Sequence, residues 1–164
     1  MSTVAQSTTV QSLLSNWCRQ LAGMYAKDLA HVSPERFSTA AGGATRSVAD
    51  FTAEITAMCY GALAVLNGGD ITMPSEEQMA ANKAKFTDTA TAAGLLTEAA
   101  GQLADAIAGA SGEALDRSVM APWGQPMTVA EFVNIMVNHI WYHDGQVNYV
   151  QALDGDEAVH WMEA

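Results

Sequence analysis

Basic residues are what this 164-residue chain has least of: 7 Lys and Arg stand against 18 Asp and Glu, a formal charge of −11. A surface of that sign repels phosphate backbones and has few counterions to displace, which argues against direct nucleic-acid binding. Cysteine is nearly missing as well. Cys18 and Cys59 fall in expected helices, and two such residues read as reduced core side chains, not as a disulfide. Met1 to Thr9 are small and polar, with neither the basic nor the apolar region of a signal peptide. A frayed lead-in and a cytoplasmic location are therefore expected. No apolar run approaches the roughly 20 residues that cross a bilayer, so no membrane association is expected. Strand-like alternation of useful length is absent, and the four prolines all lie outside the strongly periodic stretches.

Helix formers fill the space these absences leave. The hydrophobic fraction is 49%, much of it Ala and Met, as suits helices that approach closely. The length is that of one domain, spanning residues 1–164, with room for a substantial core. Periodicity predicts four long helices. The first runs from about Val10 to Ala30 on an inner stripe of Val10, Leu13, Leu14, Trp17, Leu21, Met24 and Leu29. Ser33-Pro34 starts a short turn of helix. The second spans about Ser47 to Leu66 and stops at Asn67-Gly68-Gly69. The third begins at a Ser75/Gln78 capping box and continues through Phe86 and Leu96 to about Ala110, with Gly94 and Gly101 as weak points or close contacts. A long loop, Ser111 to Met127, folds over one end before the last helix, about Val129 to Leu153. Asp154-Gly155-Asp156 ends that helix, and the tail after it can form a final turn. The fold class is all-α, an antiparallel four-helix bundle.

The most informative stretch is His139-Ile-Trp-Tyr-His143. Residues four apart on a helix lie one above the other, the spacing at which one helix offers two nitrogens to one metal ion. Phe132, Ile135, Met136, His139, His143, Val147 and Val150 recur at steps of three or four, so the histidines interrupt an inward stripe. Buried imidazoles need partners. A third group comes from comparing two capped helix starts, Ser47-Val48-Ala49-Asp50-Phe51 and Thr128-Val129-Ala130-Glu131-Phe132. Glu54 lies seven residues after its cap, and His139 and His143 lie eleven and fifteen after theirs. Steps of four drift slowly around the axis, so the three share roughly one phase. Glu54 also sits among Phe51, Ile55, Met58, Ala62 and Val65, where a carboxylate is costly without a cation or donors. Gln146, one turn beyond His143, can hold a ligand or make a structural hydrogen bond. Asp144 faces elsewhere on the helix and reads as a surface charge. Trp123, Trp141 and Tyr142 read as packing or interface residues, and His31 and His160 as structural or exposed.

A capped helix beginning Arg-Ser-Val, an acidic ligand seven residues after the Ser, and a later helix with His-x-x-x-His-x-Gly-Gln together resemble the DinB/YfiT-like superfamily of metalloenzymes. The resemblance runs from about Leu13 to Leu153 and takes in the Val32-Ser33-Pro34-Glu35 loop and Gly42-Gly43. The family commonly has three histidines; two match His139 and His143, and Glu54 stands where the first is usual. It implies a four-helix bundle, a divalent metal, a small-molecule substrate and a homodimer, which the low charged fraction of 15% also favours.

Two imidazoles and one carboxylate suit Zn, Ni, Fe or Mn and leave open positions on the ion. The leading expectation, which the resemblance implies, is a thiol-dependent transferase or isomerase in which the metal activates a low-molecular-weight thiolate. A metal-dependent hydrolase is the enzymatic alternative. The alternative of another kind is a non-catalytic bundle: a stress-associated dimer that stores or senses metal, or one in which Glu54 pairs directly with a histidine.

Overall fold

The computed structural model of the chain describes residues 8–162. The frayed segment expected for residues 1–9 lies outside them except for Thr8 and Thr9, and Thr9 caps the first helix. In chain order the helices are α1 (Val10–Leu29), the short α2 (Pro34–Ser38), α3 (Val48–Leu66), α4 (Glu76–Lys83), α5 (Thr89–Gly109), α6 (Gly112–Asp116) and α7 (Val129–Leu153). Each begins at a Ser, Thr or Asp whose side chain accepts from a backbone N–H of the first turn. In α3 and α7 the caps Ser47 and Thr128 are reciprocated by Asp50 and Glu131. These boxes satisfy helix donors that would otherwise be orphaned, at about 1 kcal/mol each.

α1, α3, α5 and α7 form the bundle. α1 packs on α5 and α7, and α3 packs on the same two, which puts α1 and α3 on one diagonal. Pairwise contacts give the directions. Gln11 reaches Ala110 and Cys18 reaches Ala100, so α1 and α5 are antiparallel. Trp17 meets Asn138 while Asp28 meets Asn148, so α1 and α7 run in the same sense. The long connection around α4 permits this mixture, because it carries the chain back to the end where α3 began before α5 starts. Leu21, Leu96, Leu103, Ile107, Val133, Val137 and Ile140 fill the interior with at most 1% exposure. At about 25 cal/mol per Å² of apolar surface, such burial is the main favourable contribution to folding.

Several expectations need correction. The predicted third helix is two: α4 ends at Lys83, and Asp88 caps a fresh start for α5. Lys85 and Phe86 close the break with turn hydrogen bonds, and Phe86 is buried. Neither Gly94 nor Gly101 marks an approach that a Cβ would obstruct. The long loop before the last helix holds α6 and a two-stranded antiparallel hairpin, Ser118–Met120 with Pro126–Thr128. Three-residue strands are too short to announce themselves by alternation. At the edges of the stripes, Val10 and Leu13 on α1 and Ile135 on α7 are exposed, because no neighbouring helix covers those positions. Trp123, Trp141 and Tyr142 are exposed too. The tail forms a 3-10 turn, His160–Met162, in which buried His160 stacks on exposed His31 at 3.5 Å.

α3 is long and apolar enough, by length and composition, to cross a membrane, with a mean hydropathy of 1.3 in its most apolar window. The expectation about apolar runs holds only for uninterrupted ones, since Asp50 and Glu54 break this one. Half of the window is buried against the other helices, as in a core helix.

Both cysteines are free and buried. Burial pushes the Cys18 thiol up to about 12 against the opposing charge of Arg19, and it raises Cys59 as well. Thiolate is the reactive form. Iodoacetamide at about pH 8 is therefore expected to leave the native chain unmodified and to add two groups after unfolding in urea, read by intact mass. Rapid alkylation of the native form would contradict this packing.

Candidate metal centre

α3 and α7 run antiparallel, so the first half of one faces the middle of the other. Phe51 of α3 stacks on His143 of α7 with ring centroids 5.0 Å apart, and this contact sets the register of the site. Glu54, one turn further along α3, then points between the two imidazoles. Its Oε1 lies 3.3 Å from His139 Nε2 and 3.6 Å from His143 Nε2, and the two Nε2 atoms are 3.0 Å apart. The caps place all three groups on facing sides of the two helices, as the count of residues from each cap predicts.

The three differ in burial. His143 is fully enclosed, whereas the side chains of His139 and Glu54 keep 25% and 28% exposure. The site therefore opens at one side. Beside it, Asn134, Ile135, Asn138, His139 and Tyr142 line a shallow groove of about 500 Å³.

Gln146 makes a structural hydrogen bond: its Oε1 accepts from His143 Nδ1 at 2.6 Å. A proton on Nδ1 leaves Nε2 of the neutral ring with a lone pair aimed at His139 and Glu54. An amide or carboxylate behind an imidazole is how metal-binding histidines are commonly oriented. The hydrogen bond from His139 first, and then the nearby His143 ring, hold the Glu54 carboxyl well below the usual carboxylate range. Partial burial opposes them, and Arg46 reinforces them.

Arg46 is a residue that sequence reasoning passed over. Its Nη1 pairs with Glu54 Oε2 from the position just before the Ser47 cap. A basic residue eight positions before a partly buried acid was the available signal, but helix periodicity does not extend through a cap. Tyr25 of α1 was missed as well. It is fully buried and donates to Thr52 Oγ1 at 3.0 Å, since Thr52 itself donates to Val48 O. Burial raises its pKa, with the nearby acids adding to the effect, so it remains a phenol.

Asp144 is the plainest error of expectation. Far from being a surface charge, it is 4% exposed and sits against Asp28 of α1, which is fully buried. Burial first, and then the Asp28 charge, pushes the Asp144 carboxyl well above the ordinary carboxylate range. Asn148 donates to Asp28 Oδ2 at 2.7 Å, and Gln151 donates to Asp28 O at 2.9 Å. Because α7 is flanked by α1 as well as α3, the face next to the histidines is also an interior one.

The donor set can be tested against an ion. Tetrahedral coordination with bonds of about 2.0–2.1 Å separates ligand atoms by roughly 3.3 Å. The three separations of 3.0, 3.3 and 3.6 Å bracket that figure. Glu54, His139 and His143 are the group among the described residues with ligand atoms close enough to hold a metal.

The DinB superfamily profile matches residues 14–147, which take in α3 and the part of α7 that carries His139, His143 and Gln146. The chain belongs to the DinB superfamily. Among solved structures it is similar to a mycothiol-dependent maleylpyruvate isomerase, at 14% identity and a TM-score of 0.67 over 86% of this chain. It is also similar to a histidine-to-alanine mutant of such an isomerase, at 20% identity and a TM-score of 0.62 over 86% of this chain. The similar region spans 63% of the length of each of those structures. No match is found among curated proteins. At these identities the likeness is one of fold.

Proposed function

We propose that the chain is a divalent-metal-dependent enzyme of the thiol-dependent transferase or isomerase kind, a cytoplasmic homodimer acting on a small molecule. One observation carries the reading: His143 is held by Gln146 in the tautomer that turns a lone pair toward His139 and Glu54. The shared fold with a mycothiol-dependent isomerase favours a low-molecular-weight thiol as co-substrate.

Glu54, His139 and His143 would hold the ion, which supplies open positions where a thiol or water loses its proton near neutral pH. His143 is the rigid member, wedged between Phe51 and Gln146. His139 and Glu54 form the open edge, and the groove beside His139 receives the electrophile. Gln146 acts through His143. Gln146→Leu is expected to weaken zinc binding about ten- to a hundredfold, measured by competition with a chromophoric chelator. An unchanged affinity would remove Gln146 from the site.

The test of the function itself joins two measurements. Elemental analysis of protein purified without an affinity tag is expected to find about one metal ion per chain. The loaded protein is then expected to conjugate a thiol to an electrophile and to leave ester and amide substrates intact. Cleavage of those substrates would favour the hydrolase.

The charge-pair form of the non-catalytic reading has its own support, because Arg46 and His139 already give Glu54 partners without an ion. It predicts no metal uptake under generous loading by a protein that is otherwise folded.

A further inference from the structure

Glu54 divides its two carboxylate oxygens between different neighbours. Oε1 faces the imidazoles, and Oε2 is taken by Arg46. Arg46 is one of only seven basic residues. Arg19, Arg36 and Lys83 are engaged with Asp105, Asp154 and Asp50, and Arg117 binds the carbonyls of Val65 and Gly69. The Arg46 guanidinium lies over the Phe51 ring, 5.3 Å from its centroid, and Phe51 in turn stacks on His143. A planar cation is thus fixed at the rim of the site, with half of its side chain open to solvent.

Charge then decides what such a rim can receive. Without an ion, one guanidinium balances one carboxylate. With a divalent ion on Glu54, His139 and His143, the site holds two unbalanced positive charges in a chain that is otherwise strongly acidic. A thiolate on the ion would cancel one of them. The other sits on Arg46, whose Nη1 is committed to Glu54 and whose planar fork has a second edge suited to a bidentate carboxylate. We infer that Arg46 makes this site select a ligand carrying a carboxylate close to its metal-bound or reacting atom. This rests on the metal-site reading above. The carboxylate can belong to the thiol or to the electrophile, and the chemistry of recognition is the same.

Cobalt-loaded protein separates the possibilities, because a bound thiolate gives a near-ultraviolet charge-transfer band that reports affinity without turnover. Wild type, Arg46→Gln and Arg46→Lys are titrated with 3-mercaptopropionate and with 2-mercaptoethanol. They are then titrated with fumarate while 2-mercaptoethanol is bound, followed by the visible cobalt spectrum. If the carboxylate is on the thiol, wild type prefers 3-mercaptopropionate by about tenfold or more. Arg46→Gln then weakens 3-mercaptopropionate about tenfold more than it weakens 2-mercaptoethanol, so the preference disappears. If the carboxylate is on the electrophile, fumarate binds about tenfold or more weakly to Arg46→Gln, and the thiol preference is the same in both proteins. Arg46→Lys recovers part of either effect, keeping the charge but not the fork. Cobalt bound by all three proteins with neither arm sensitive to Arg46 would overturn the inference and leave the metal site standing. No cobalt bound by wild type would overturn both.

Discussion

His143→Ala is expected to abolish metal retention, with zinc affinity falling at least a hundredfold and the purified protein retaining under a tenth of an equivalent. A four-ligand zinc site is worth about 10–16 kcal/mol, or roughly 3 kcal/mol per ligand, which is about two decades of affinity. His143 should show the full loss because it is fully enclosed and has no freedom to be replaced by solvent. Glu54→Ala is expected to behave similarly, with an added effect: Arg46 would lose its partner and leave an uncompensated positive charge beside the ion. Truncating a buried imidazole also opens a cavity against Phe51, so His143→Gln, closer in volume, is the needed companion. Zinc at about a hundred times its dissociation constant stabilises the native state by about 2.7 kcal/mol. For a domain of this size that raises Tm by roughly 5–10 °C. Wild type should show this rise and both His143 variants should not. A rise of the same size in His143→Gln would place the ion elsewhere.

Asp144→Asn is expected to raise stability at neutral and alkaline pH and to flatten its pH dependence. Asp144 is raised in the folded state by burial and by Asp28, so the native chain binds more protons than the unfolded chain above the ordinary carboxylate range. By linkage, stability is then full below about pH 4 for this group and is lost as pH rises through neutrality. Each unit of pH across that window costs about 1.4 kcal/mol for one proton. The change from about pH 5 to about pH 8 is therefore on the order of 4 kcal/mol, or roughly 8–16 °C in Tm. The amide of Asn has no proton to lose and brings an N–H donor toward Asp28, whose Oδ1 is buried without a partner. Thermal unfolding of both proteins at about pH 5, 6.5 and 8 gives the answer. Parallel curves would mean that Asp144 is ionised in the fold at no cost. The loss of stability by wild type on the alkaline side is the larger effect to look for, because Asp28 is fully buried and cannot move into solvent to relieve the repulsion.

The two expectations differ in how much of each was legible in the chain. Glu54, His139 and His143 could be read because every step was local. A capping residue sets the start of a helix, the 3.6-residue period carries that phase forward, and a polar residue on an apolar stripe demands a partner. The histidine–glutamine hydrogen bond was half legible, since one turn separates the residues but either of two roles fitted. Asp144 was misread by the same logic. Its azimuth differs from that of the histidines, and a helix with one buried face would have sent it to solvent. α7 has two buried faces, one toward α3 and one toward α1.

Local chemistry in the chain was enough to determine the capped starts of α3 and α7, the inward stripes that meet in the core, the reduced cysteines and the pair of imidazoles that needs a third group. Tertiary structure alone decided which helices are neighbours, that α1 runs beside α7 in the same sense, that the third predicted helix is broken at Asp88, and that Arg46 closes over Glu54. The division follows from the physics. Hydrogen-bonded turns and side-chain periodicity are set over a few residues, whereas the order of helices around a bundle depends on long connections whose path costs little to change and leaves almost no trace in composition.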